Sequence, residues 1–234
     1  MNAYKIGSGD ITWTEILHYF GKKKKPILLA TGASSLQDVE RAMGVLGQYT
    51  KEIVLMQCNT NYTAQPSNFS YINLNVLKTY AKKFPDSILG LSDHTFGHTT
   101  VLGALALGAR VFEKHFTDDN SRPGPDHKFA MNPKTWREMA DAAAQLYAAL
   151  GDGMKKIEEN EKESVLVQQR AVYATRNLPK GYVLKREDIY PLRPLKEGCV
   201  YPYEIEEIIG CKLNRDVEED QCLTWEMIER DKRK

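Results

Sequence analysis

Five short apolar runs, each followed by a stretch of helical periodicity, constrain this chain more than any other feature. The runs cover residues 3–8, 26–31, 52–58, 87–93 and 110–116, with continuous apolar centres such as Ile27-Leu28-Leu29 and Ile53-Val54-Leu55-Met56. Continuous rather than alternating hydrophobicity marks strands covered on both faces of a parallel sheet. Parallel neighbours need a crossover of a dozen or more residues, and these starts leave room for a helix each time. Thr12-Trp13-Thr14-Glu15 and Ser34-Ser35-Leu36-Gln37 fit capping boxes with Thr12 and Ser34 as the capping hydroxyls. Val39, Ala42, Met43 and Leu46 share one face of the second helix, and Leu74, Leu77, Lys78 and Ala81 suggest a third. Residues 99–107 read as a fourth helix, and Trp136 to Leu150 as a fifth that ends near Gly151. The lysine run 22–25 reads as a solvated helix end.

The pattern changes after Gly153. Residues 155–163 are charge-dense and read as a linker or exposed helix. From Arg170 onward come short pieces broken by Pro and Gly, among them Leu178-Pro179-Lys180-Gly181 and Leu192-Arg193-Pro194. The expected division is an α/β domain over 1–153, a linker over 154–167, and a small domain rich in β and turn over 168–234.

Catalytic groups of a helix-wrapped parallel sheet sit at the carboxyl ends of its strands. Unusual polar residues collect at those ends here: Lys5-Ile6-Gly7-Ser8-Gly9-Asp10, Thr31-Gly32, Cys58-Asn59-Thr60-Asn61-Tyr62, Ser92-Asp93-His94 and Glu113-Lys114-His115. Lys5 beside the Gly7-Ser8-Gly9 amides suits a phosphate or carboxylate, though a plain surface turn would read the same. Cys58 reads as a small buried hydrophobe, because no base is placed for it. His94 and His115 end consecutive strands, about 5 Å apart by strand spacing. At that separation two imidazoles can share one divalent ion, with Asp93 and Glu113 as candidates to fix the ring tautomers. Asp126, in a loop stiffened by Pro123 and Pro125, would aim its carboxylate at the same pocket. His18 and His98 read as structural or exposed.

Composition removes several function classes. With 32 basic and 31 acidic residues and a net charge of +1, the chain is no broadly basic nucleic-acid binder, and 42% hydrophobic content argues against disorder. Its longest apolar stretch, 101–109, falls short of the roughly 20 residues that a bilayer helix needs. Four cysteines without C-x-x-C or zinc spacing point to a reduced, cytoplasmic setting, in which Asn61-Tyr62-Thr63 and Asn68-Phe69-Ser70 are chance sequons.

Together these motifs, with Gly124-Pro125-Asp126, resemble the sialic acid synthase family, which includes N-acetylneuraminate, legionaminic and pseudaminic acid synthases. Residues beyond Arg170 resemble its antifreeze-like SAF domain, a β-clip fold. The resemblance implies the C-terminal part of a (β/α)8 TIM barrel, about five βα units, followed by a small β-rich SAF domain. It implies condensation of phosphoenolpyruvate with an N-acetylated amino-sugar aldehyde such as N-acetylmannosamine, with release of phosphate. By resemblance, His94 and His115 hold manganese or magnesium. Lys5, Ser8 and Ser92 surround the phosphate, with Thr60 supplying a further polar contact, and Asp10, Tyr62 and Asp126 lie on the sugar side. Arg193 matches an arginine that a partner subunit's SAF domain offers to the substrate, which implies a domain-swapped homodimer. Ala30 stands where many members carry a serine.

Five units are fewer than the eight that barrel closure takes, so the chain is expected to be the C-terminal portion of a longer synthase. A rival reading is a non-catalytic remnant acting as an oligomerisation or sugar-binding module. A metal-dependent hydrolase fits less well, because such sites usually recruit more His and Asp ligands.

Overall fold

Strands β1 (Tyr4–Ile6), β2 (Ile27–Ala30), β3 (Ile53–Cys58), β4 (Ile88–Asp93) and β5 (Val111–Lys114) lie side by side in chain order, every pair parallel. They belong to the first of two units, Met1–Gly153 and Met154–Lys234, in a computed structural model that describes residues 2–63 and 65–229. Between the strands run α1 (Thr14–Gly21), α2 (Leu36–Leu46), α3 (Val76–Lys83) and α4 (Thr99–Ala106), and α5 (Pro133–Ala149) follows β5.

Period-two alternation divides each strand between two environments. Ile6, Ile27, Leu29, Ile53, Leu55, Leu89 and Leu91 pack outward with Leu17, Val39, Leu46, Leu77, Val101 and Met139 of the helices in one buried cluster. The intervening residues, including Lys5, Ala30, Cys58, Ser92 and Glu113, take the inner face. That face is strongly curled. β1 and β5 are opposite edges, roughly 19 Å apart in a flat sheet by strand spacing, yet Lys5 Nζ lies 3.4 Å from Glu113 Oε1. The unit is an α/β half-barrel whose inner polar residues converge at the carboxyl ends of the strands.

Both expected helix starts shift. α1 begins at Thr14 with Trp13 at the cap position and no side-chain cap bond. The turn Ser8–Asp10 runs into it through the Trp13 N–H to Asp10 carbonyl bond (2.9 Å), leaving Thr12 in the turn. α2 is capped by Ser35 with Asp38, one residue later than Ser34 with Gln37. The Ser34 hydroxyl instead donates back to the Gly32 carbonyl at 3.0 Å.

In the second unit β6 (Ala171–Ala174) pairs antiparallel with β7 (Ile189–Leu192), and β8 (Lys212–Leu213) with β9 (Ile228–Glu229). Single bridges such as Leu178↔Val217 and Val183↔Lys212 lace the pieces together. Val172, Leu178, Leu184, Ile189, Val200, Leu213 and Leu223 form its core, with Ile205 and Ile208 of α7 (Ile205–Ile208). The segment read as a linker carries α6 (Lys162–Gln168), whose Leu166 carbonyl accepts from Leu195 N–H at 2.9 Å. Cys199 and Cys222 come together, with Cα atoms 6.1 Å apart, because the bridges Cys199↔Thr224 and Tyr173↔Cys222 bring distant segments side by side. A separation of 23 residues carries no short-range signature of such a pair. Among the described residues no helix is long and apolar enough to cross a membrane.

Candidate active site

The carboxyl ends of β1, β2 and β3 form one wall. Ser8 Oγ accepts the Gly32 N–H at 2.9 Å. A Cβ on Gly32 would meet Thr60 Cγ2 at 2.8 Å, Ser8 Oγ at 2.9 Å and Cys58 Sγ at 3.0 Å, so only glycine lets these three groups close on the strand-end turn. Across the sheet, buried Ser92 donates to Glu113 Oε1 at 2.8 Å, and the same carboxylate oxygen pairs with Lys5. Burial pushes the Cys58 thiol up, despite the opposing influence of the neighbouring Ser8 and Ser92 hydroxyls, so this sulfur stays protonated.

Beyond the last rung of β4 and β5 stand the two histidines, ring centroids 5.2 Å apart. His94 is buried, and its Nδ1 lies 2.9 Å from the Asn59 carbonyl oxygen. A carbonyl only accepts, so Nδ1 carries the proton and Nε2 keeps its lone pair. Burial also lowers the His94 pKa, opposed by the Asn59 bond and aided by the neighbouring His115 ring, which favours the neutral imidazole. His115 is half-buried, with Nδ1 3.4 Å from Asp126 Oδ2 and its ring against Phe129 at 5.3 Å. Tyr62 covers both rings, 4.3 Å from His94 and 5.7 Å from His115. Burial raises the Tyr62 pKa, with Cys58, Asp126 and Glu113 adding to it.

The structure thus gathers Lys5, Ser8, Thr60, Tyr62, Ser92, His94, His115 and Asp126 at one end of the half-barrel. Asp10 is exposed in the turn after β1, and no side-chain bond ties it to the histidines among the described residues. Arg193 belongs to the second unit, where its Nε donates to the Gln168 carbonyl at 2.6 Å. The expectation that Asp93 and Glu113 orient the rings does not hold. Asp93 faces outward to Lys114, since it alternates with Ser92, and Glu113 is taken by Ser92 and Lys5. The groups that meet the ring nitrogens are the Asn59 carbonyl and Asp126. Sequence reading placed Asn59 in the strand-end motif but missed the role of its carbonyl, a backbone atom, and it missed Phe129, which no motif flags. His18 bonds Tyr49 OH at 2.9 Å, and His98 is the cap residue of α4. Asn68, in the second apparent sequon, is buried and donates to Asn61 Oδ1 and Thr63 Oγ1 at 3.3 Å.

No group of three or more His, Cys, Asp or Glu side chains that could hold a metal occurs among the described residues. Two adjacent imidazoles, one with Nε2 held unprotonated, fit a divalent ion bound loosely and completed by water or substrate oxygens.

Residues 1–155 match the NeuB family and residues 169–229 match the SAF domain. The chain belongs to the NeuB family. Among relatives of this NeuB chain, the N,N'-diacetyllegionaminic acid synthase of Legionella pneumophila is 35% identical over 230 residues, covering 96% of this chain and 63% of that protein. A pseudaminic acid synthase of Campylobacter jejuni is 30% identical, over 92% of this chain and 61% of the relative. The NeuB chain thus spans somewhat less than two thirds of the length of these relatives. The crystal structure of the spore coat polysaccharide biosynthesis protein SpsE of Bacillus subtilis shares the fold with a TM-score of 0.59 at 29% identity, covering 98% of this chain and 68% of that one.

Proposed function

We propose that this strand-end site condenses phosphoenolpyruvate with an N-acyl amino-sugar aldehyde, such as N-acetylmannosamine, to give a nonulosonic acid and phosphate. The observation that carries the reading is the adjacency of an anion cradle and a paired-imidazole site on one end of one sheet. Relatives named as legionaminic and pseudaminic acid synthases support the product class.

In the cradle, Lys5 supplies the positive charge. Ser8 Oγ, which accepts from the Gly32 N–H, keeps its own proton to donate to a phosphate oxygen. Lys5 meanwhile rests on Glu113, so an arriving phosphate exchanges one carboxylate partner for a stronger anion. Ser92, sharing Glu113, and Thr60, against the Gly32 turn, complete the polar wall. His94 and His115 would hold manganese or magnesium, which when bound supplies Lewis-acid polarisation of the aldehyde oxygen. The Asn59 carbonyl keeps the His94 Nδ1 proton in place, so the lone pair faces the site. Tyr62 covers the rings and restricts water, and Asp126 and Asp10 are the candidates for sugar hydroxyls. The methylene carbon of phosphoenolpyruvate bonds to the aldehyde carbon, water adds to the former enol carbon, and phosphate leaves with C–O cleavage. The protein's part in these steps is positioning and charge stabilisation. In a homodimer, Arg193 would be offered by the partner's SAF domain to the acyl group.

The test is phosphate release from phosphoenolpyruvate with a panel of N-acyl amino sugars, in the parent protein and in His115→Ala. Release that needs both the sugar and His115 is expected. Parent-like turnover in His115→Ala overturns the reading, and sugar binding without phosphate release favours a binding module.

A further inference from the structure

Directly behind the histidine pair, on the helix-facing side of the sheet, lies an ion pair that the proposed chemistry does not use. Lys114 Nζ is 2.5 Å from Asp93 Oδ2, and the two side chains are only 2% and 1% exposed. Lys114 Nζ also donates to the Thr95 carbonyl at 2.8 Å. Asp93 accepts from Thr95 N–H at 3.1 Å, from Thr95 Oγ1 at 3.0 Å and from Thr100 Oγ1 of α4 at 2.6 Å. The placement of this cluster is specific. Asp93↔Lys114 is the last rung of the β4–β5 ladder, and the next residue on each strand is a histidine. Lys114 therefore precedes His115 and bonds both neighbours of His94.

We infer that Asp93 and Lys114 are positioning residues: they form a buried latch that clamps Asp93 and Thr95 on either side of His94 and fixes His94 against His115. The inference rests on reading the two histidines as a cation-holding pair. Beyond the last rung no bond of the β4–β5 ladder ties the two histidine segments to each other. The His115 carbonyl is held by Met131 N–H at 2.8 Å and His94 Nδ1 by the Asn59 carbonyl, and the side-chain latch adds the direct tie from β5 to the residues flanking His94. Burying two charges is a poor route to stability alone, since a well-packed apolar pair serves as well or better. What an apolar pair cannot do is bond two residues flanking His94 from one cation. Groups that hydrogen-bond a metal ligand typically change affinity ten- to a hundredfold when removed, and the latch acts one step further back, on the backbone that carries His94.

The test compares the parent with two double variants, Asp93→Leu with Lys114→Met, and Asp93→Asn with Lys114→Gln. Calorimetric titration with manganese chloride gives the affinity, thermal melting reports the fold, and carbon–proton NMR signals of the His94 and His115 rings report their setting. The apolar variant is expected to melt near the parent temperature yet bind manganese about ten- to a hundredfold more weakly, with both ring signals displaced. The amide variant, which keeps hydrogen-bonding groups, is expected to recover much of that affinity. An apolar variant with parent-like affinity and unmoved ring signals makes the pair purely structural and overturns the inference. Should the parent itself bind no manganese, the cation reading fails separately. The ring signals then decide for the latch if displaced and against it if not.

Discussion

At the scale of single residues, the site depends on which partner each nitrogen and oxygen finds. His94 is neutral because burial disfavours its charged form, and its tautomer follows from a carbonyl that can only accept. This has a consequence for stability against pH. Because the folded-state pKa lies below the ordinary 6.5, the unfolded chain binds more protons than the native one between the two values. Stability therefore rises with pH through that window, is fully present above 6.5, and is lost as pH falls through the lowered value. Melting curves between about pH 5 and pH 7.5, bracketing the ordinary histidine value, are expected to show this slope in the parent and a flatter one in His94→Gln. An identical slope in both would contradict the burial argument. The polar strand ends were legible in the sequence because apolar runs stop abruptly at Lys, Ser, Asp and His. The Asn59 carbonyl was not legible, since a backbone atom leaves no trace in residue identity.

At the scale of elements, alternation does most of the sorting. Five strands and their order follow from continuous apolar runs with crossover spacing, and the structure trims each run by a residue or more at one or both ends without removing any. The same period separates Ser92 and Glu113 from Asp93 and Lys114. Pairing Asp93 with Glu113 as ring-orienting carboxylates ignored that they lie on opposite faces. The start of α2 moved for a local reason, the Ser34 hydroxyl being already committed to the Gly32 carbonyl. Close approach also dictates Gly90. A Cβ there would meet Met56 Cγ at 2.9 Å, the Val111 carbonyl oxygen at 2.9 Å and Val54 Cγ1 at 3.1 Å. The carbonyl is backbone and cannot swing aside, so Gly90→Ala is expected to cost about 1–3 kcal/mol, as overpacking does. Denaturant unfolding measures it, and an unchanged midpoint would show that the strands β3, β4 and β5 yield more easily than their spacing suggests.

For the whole molecule, two units with separate cores divide the proposed work. The half-barrel carries the cradle and the histidines, while the SAF unit carries Arg193, anchored by its bond to the Gln168 carbonyl. The change from apolar runs to Pro- and Gly-broken pieces made this organisation legible, but the Cys199–Cys222 pair depends on tertiary pairing that spacing does not reveal. If Arg193 serves a partner's sugar subsite, Arg193→Ala raises the Michaelis constant for the sugar more than that for phosphoenolpyruvate; an unchanged sugar constant contradicts the role. All of this depends on whether the two imidazoles bind one cation together. Pulsed electron paramagnetic resonance of manganese added to the chain, with histidine ring nitrogens isotopically labelled, reads that directly. Coupling to two ring nitrogens in the parent, falling to one in His115→Ala, is the predicted result. A spectrum of hydrated manganese with no nitrogen coupling would contradict it.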